Sequence, residues 1–81
     1  MELTEYLELI TKQMVKHPHE VLVAQSQDAM GVLLTLQVNK EDMAIIVGKQ
    51  GETAKSIRNI VRIAGFIKDA RVSVKILEPN K

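Results

Sequence analysis

An 81-residue chain of 9.1 kDa has room for one small domain, and a single unit over residues 1–81 is expected. With 46% hydrophobic residues, 26% charged residues and a net charge of +1 it reads as globular rather than disordered, and burial of roughly 60% of its surface suffices for one modest core. The lack of cysteine excludes a disulfide framework, a thiolate metal site and a cysteine nucleophile; apolar runs too short for a membrane span, and no signal peptide at the start, point to the cytoplasm.

The first segment predicts a helix. Leu3, Tyr6, Leu7, Ile10 and Met14 form one apolar stripe, with Glu2, Glu5 and Glu8 early and Lys12 and Lys16 late, as the helix dipole favours. Pro18 disfavours helical geometry at His17, so the helix is expected to end near Lys16. Val21 to about Gln27 and Val32 to Val38 read as strands joined through Asp28-Ala-Met-Gly31, an antiparallel hairpin. In the second strand Leu34, Leu36 and Val38 share one side, and Thr35 and Gln37 the other. Asn39 is a candidate N-cap for a short helix over Lys40–Val47, with Glu41 and Asp42 in its first turn. Gly48 stops it, and a longer helix follows from about Glu52 to Ile67. Arg71 to Glu78 alternates as a last strand, and 79–81 is a tail. The order helix, strand, strand, short helix, long helix, strand predicts an α+β fold, a three-stranded sheet with helices packed on one face.

The informative stretch is the G-x-x-G loop, Gly48-Lys-Gln-Gly51, between two helices. Glycines free the backbone for a tight corner and remove the Cβ atoms that would keep a phosphate backbone away. The following helix offers unpaired N–H groups there, and Lys49 adds a positive charge. On that helix Lys55, Arg58 and Arg62 fall within an arc of roughly 60°, while Ala54, Ile57, Ile60, Val61 and Ala64 face the sheet. Charge is also uneven along the chain. Residues 1–42 hold three lysines against seven acids, net −4; residues 43–81 hold eight Lys/Arg against three acids, net +5. Such asymmetry hints at an anionic ligand on the second half. Ile63 and Ile67 extend the core arc of the long helix and Phe66 lies outside it; exposed apolar groups on a small domain often mark an interface.

With Ile46-Val-Gly48-Lys-Gln-Gly51 between helices in α-β-β-α-α-β order, nearly the whole chain resembles a type II KH domain. The Glu41-Asp42-Met43 turn and the string Gly48-Lys-Gln-Gly51-x-Thr53-Ala54-Lys55-x-Ile57-Arg58 narrow the resemblance to the bacterial KhpA-type family of small single-KH RNA-binding proteins. The resemblance implies a groove for single-stranded RNA in which the loop clamps the backbone of about four nucleotides. Carried over by position, Gly48 and Gly51 would allow close approach, and Lys49 and Gln50 would contact phosphate. Ile45, Ile46 and Val47 would form an apolar floor, Val47 being the most core-like of the three, and Thr53, Ala54 and Ile57 would line that floor or support it. The strand Val32–Val38 would supply the other wall through Leu33, Thr35 or Gln37. The resemblance further implies pairing, as a homodimer or with a second KH protein of the KhpB type, for which Ile63, Phe66 and Ile67 are the candidate interface, and a role as an RNA chaperone or post-transcriptional regulator linked to cell shape.

Two positions depart from the family pattern. Glu52 and Ile45 stand where basic residues are usual, which argues for weak or partner-dependent binding. With only Tyr6 and Phe66 aromatic, a sheet of stacking rings is excluded. An enzyme is not indicated. His17 and His19 flank Pro18 in a predicted loop, too few ligands for a metal and expected in solvent. A P-loop reading leaves Gln50 where Ser or Thr is needed, and Glu41 with Asp42 is better read as capping than as a catalytic pair. No cofactor, metal or small-molecule substrate is called for. The alternative is a protein-interaction module with a vestigial groove, in which Phe66 and Ile63 bind a partner that carries the RNA affinity.

Overall fold

The computed structural model describes residues 2–77. The tail expected over 79–81, and Glu78 at the end of the expected last strand, lie outside the described residues. The elements are α1 (Leu3–Lys12), β1 (Leu22–Asp28), β2 (Gly31–Gln37), α2 (Met43–Val47), α3 (Glu52–Ile67) and β3 (Val72–Ile76), with single 3-10 turns at Pro18–Glu20, Lys40–Asp42 and Lys49–Gly51. The sheet runs β1-β2-β3, with β1 antiparallel and β3 parallel to the central β2. This is the α+β, type II KH order that the sequence predicts.

Alternation decides which side of each strand is dry. Leu34 and Leu36 are fully buried and Val38 nearly so, packed with Leu3 and Leu7 of α1, Ile46 of α2, and Ile57 and Val61 of α3. Each fully buried aliphatic side chain of this size contributes about 1.5–3 kcal/mol. Leu33 and Thr35 stand half-buried on the opposite face. The β1–β2 turn is a two-residue connection, Asp28 pairing with Gly31, and the Met30 N–H donates to Asp28 Oδ1 at 2.8 Å.

α1 ends at Lys12, a turn before the expected Lys16. The cause is tertiary. The Asp42 side chain is completely buried and accepts the backbone N–H of Lys16 at Oδ1 and of His17 at Oδ2, each at 3.0 Å. Those two donors are thus drawn away from an α1 ladder and toward the start of α2. Asp42 is therefore a tie between two segments, not a side-chain cap. Asn39 caps by accepting the Glu41 N–H at 2.7 Å, although what it caps is the 3-10 turn at Lys40–Asp42, and the short helix expected from Lys40 starts only at Met43. His17 is half-buried rather than free in solvent, its Nε2 lying 3.0 Å from Glu41 Oε1 and its Nδ1 3.6 Å from Glu20 Oε2. Buried Thr11 satisfies its hydroxyl by donating to the Leu7 carbonyl at 2.8 Å.

α3 seats tightly on the start of β3. A Cβ at buried Gly65 would lie 2.5 Å from Val72 Cγ2 and 3.0 Å from the Ala70 carbonyl oxygen, so only glycine permits this approach. Of the expected sheet-facing residues, Ala54, Ile57 and Val61 are buried and Ala64 half-buried, but Ile60 is 40% exposed. Ile63 and Ile67, expected to extend the core arc, are 57% and 77% exposed. The sheet has only three strands, too narrow to cover so wide an arc of the helix.

Asp42→Ala leaves two backbone donors without their charged acceptor and is expected to cost about 3 kcal/mol. Urea denaturation checks this; a loss below about 1 kcal/mol would mean that water replaces the carboxylate.

Candidate nucleic-acid interface

α2 stops because Gly48 takes φ 74°, ψ 177°, which turns the chain out of the helix while its N–H still donates to the Ala44 carbonyl at 2.9 Å. Gln50 then adopts a left-handed conformation (φ 55°, ψ 28°), as does Gly51 (φ 77°, ψ 10°), the residue before α3. A left-handed non-glycine residue stores about 1–2 kcal/mol, and such strain concentrates at functional sites. The two glycines serve different needs. At Gly48 a Cβ would collide with the Thr53 side chain, so the position is closed by packing as well as by φ. At Gly51 nothing lies within 4 Å of an added Cβ; that side of the loop faces open space. Lys49 and Gln50 are exposed at the tip, and Thr53 is half-buried beneath it.

The residues expected to floor a groove separate in the folded chain. Ile46 is fully buried and belongs to the core, and Ala54 and Ile57, at 6% and 2% exposure, support from within. Ile45 is half-buried, and Val47, expected to be the most core-like, is 38% exposed. A five-residue helix turns only one narrow face inward, and Ile46 occupies it.

The strand that walls the cleft beside α3 is β3, whereas β2 is the strand expected to supply a wall. The central strand is hydrogen-bonded on both sides, its Leu34 and Leu36 are in the core, and Leu33, Thr35 and Gln37 alternate to the far face, away from α3. The edge strand β3 lies beside the basic stripe, and Arg58 Nε donates to the Val74 carbonyl at 3.4 Å. A cleft of about 240 Å³ runs between Arg58, Asn59 and Arg62 of α3 and Val72, Ser73 and Val74 of β3. Through Arg62, Val72 and Ser73 it continues into a wider cleft of about 570 Å³ that adds Phe66, Asp69, Ala70 and Arg71.

Charge follows this path. Among the described residues, Lys49, Lys55, Arg58, Arg62 and Arg71 have no carboxylate within salt-bridge distance, whereas Lys12 is engaged with Glu8 at 2.7 Å. Lys55, Arg58 and Arg62 are all exposed, and Arg62 is oriented by Asn59 Oδ1 at 3.1 Å. Glu52 is exposed in the first turn of α3, where it complements the helix dipole and offsets part of the loop's positive charge. Sequence reasoning did not place Arg71, Ser73 and Val74 beside the basic stripe, where the structure puts them. The one signal for them was the positive excess of the second half, to which Arg71 contributes.

The three residues grouped as an interface also part. Phe66, 82% exposed, lines the cleft with Arg62 and Arg71. Ile67 lines a separate depression of about 300 Å³ against Leu3 and Tyr6 of α1. Ile63, by helical spacing, falls on the Ile67 side.

Gly48→Ala is expected to destabilise the chain by about 2–3 kcal/mol, and Gly51→Ala by about 1 kcal/mol, because only the first adds a collision to the strain of φ. Thermal denaturation of both variants checks the order.

Comparison with known proteins agrees with this fold. The pattern described as KhpA/KhpB, KH domain, matches residues 4–76. The chain is 38% identical over 73 residues to "RNA-binding protein KhpA" of Clostridium acetobutylicum, covering 90% of this chain and 97% of that one. It is 36% identical over 69 residues to the protein of that name from Listeria monocytogenes, covering 85% and 91%. Among solved structures, a single-residue variant of Aquifex aeolicus Era bound to GDP.AlF4- superposes with a TM-score of 0.68 at 17% identity, over 94% of this chain and 29% of that one, which speaks for the fold alone. A tight glycine corner, a cation-lined α3 and these matches together make the chain a member of the KhpA/KhpB KH-domain family.

Proposed function

We propose that this chain is a non-catalytic, single-stranded RNA-binding protein of the cytoplasm. The observation that carries the reading is the series of cations from Lys49 along α3 to Arg71, beside the edge of β3, none of which has a carboxylate within salt-bridge distance among the described residues. The RNA backbone passes over the G-x-x-G loop, where Gly51 opens onto solvent and Lys49, Gln50 and the first N–H groups of α3 meet phosphate. Lys55, Arg58 and Arg62 guide the strand onward, and half-buried Ile45 and exposed Val47 offer apolar contact to bases. The names of the relatives support RNA as the ligand. Among the described residues no helix is long and apolar enough to cross a membrane. A role as RNA chaperone or post-transcriptional regulator fits a short, open groove with little base-reading chemistry.

The exposed stripe of Ile60, Ile63 and Ile67 supports pairing with a second copy or with a KhpB-type KH protein. The same stripe, with Glu52 beside the loop, favours a second reading, an interaction module whose partner supplies the RNA affinity.

Fluorescence anisotropy with a labelled single-stranded RNA pool tests the groove. Lys49→Asp with Gln50→Asp, folded by circular dichroism, is expected to lose binding by at least about ten-fold, since two contacts to phosphate become repulsions. Equal binding by both proteins would move the RNA off the loop; binding by neither would favour the interaction module. With three to five phosphates neutralised, log affinity against log salt is expected to fall with a slope between about −2 and −3.5. Ile63→Asp with Ile67→Asp is expected to shift the mass in light scattering toward the monomer; an unchanged mass would remove this stripe as the pairing surface.

A further inference from the structure

Phe66 is the exposed ring of a chain with only one phenylalanine and one tyrosine, and its surroundings differ from those of the other exposed apolar residues of α3. At 82% exposure it stands at the wide end of the α3–β3 cleft, flanked there by two guanidinium groups, Arg62 and Arg71, and the Ser73 hydroxyl. Arg62 precedes it by four residues, the spacing at which helical side chains are neighbours. Asp69 also lines this end, which leaves two positive charges against one negative. The other aromatic, Tyr6, lies on the α1 side with Ile67. An open ring beside guanidinium groups that have no carboxylate partner among the described residues is the arrangement on which single-stranded nucleic acids stack a base while holding its phosphate.

Position along the helix says which nucleotide this is. Gly51 and Phe66 are fifteen residues apart, which at 1.5 Å per residue is about 22 Å. At about 3.4 Å per nucleotide for a stacked strand, and roughly twice that for an extended one, the span is about three to six nucleotides, which puts Phe66 at or past the end of the four that a G-x-x-G loop clamps. We propose that Phe66, with Arg62 and Arg71, forms an additional nucleotide subsite at the far end of the groove, where a base of the same RNA strand stacks on the ring and its phosphate meets the guanidinium groups. The subsite rests on the groove reading above and extends its footprint past the loop. It assigns Phe66 to RNA rather than to a protein interface.

The chain has no tryptophan, so Phe66→Trp carries a single reporter at the subsite. Mixed-sequence RNA octamers are expected to quench its emission, and tetramers to quench it little. In anisotropy, Phe66→Ala is expected to weaken octamer binding about five-fold or more, to change tetramer binding less than about two-fold, and to be rescued by Phe66→Tyr. Light scattering is expected to give Phe66→Ala the mass of the unmodified chain. Equal octamer affinity for Phe66→Ala, unquenched indole emission from Phe66→Trp in the octamer complex, or a fall in mass for Phe66→Ala would each overturn the subsite while leaving the loop groove standing. Loss of tetramer and octamer binding to the same degree would put Phe66 inside the four-nucleotide clamp and also overturn it. If the unmodified chain binds neither oligomer, the groove itself falls, and the subsite with it.

Discussion

The close seat of α3 on the first residues of β3, possible because Gly65 has no side chain, sets where everything else on that side of the molecule can lie. Val72 fills the space that a Cβ would need, and Ala70 and Val72 are pulled under the helix. With the helix this low on the sheet, Ile57 and Val61 reach Leu34 and Leu36, and the core closes with few residues. The same seat leaves one flank of α3 beside the free edge of β3, and the cleft between them is where its unpaired arginines collect. A helix held farther off would weaken the core and widen the cleft together, so stability and site are coupled through one contact.

The loop at the other end of α3 has its own constraint. Gly48 is pressed against Thr53, Gln50 carries left-handed strain, and Gly51 opens onto space. α2 is too short to hold this corner alone; its start is fastened by Asp42 to the chain that follows α1. An anion at the corner would therefore meet donors already in place, and little conformational entropy is lost on binding. The exposed cations work in the same direction, since among the described residues none of them is held in an ion pair that must break before phosphate is met. Glu52, in the first turn of α3, offsets part of that positive charge.

The element order, the hairpin, the Asn39 cap, the glycine corner and the span of α3 were legible in the sequence because each depends on neighbours a few residues apart. The end of α1 was not. Pro18 predicts helix to Lys16, but Asp42, distant in sequence, claims the N–H groups of Lys16 and His17. Helical periodicity also overstated the buried arc of α3, because a period says which residues share a face and not how wide the partner surface is; Ile60, Ile63 and Ile67 consequently stand in the open. In the loop's approach, the pattern Ile45-Ile-Val47 did not reveal that Ile46 alone turns inward.

By itself, then, the sequence determined the fold class and the chemistry of the loop, since local spacing, capping and glycine placement carry both. Only the tertiary structure decided which strand walls the cleft, where Arg71 and Ser73 join the basic stripe, and that Phe66 and Ile67 look out on different sides of α3. The physical reason is the parallel pairing of β3 with β2, a contact between segments far apart in the chain that no local pattern encodes and that places β3, not β2, at the edge.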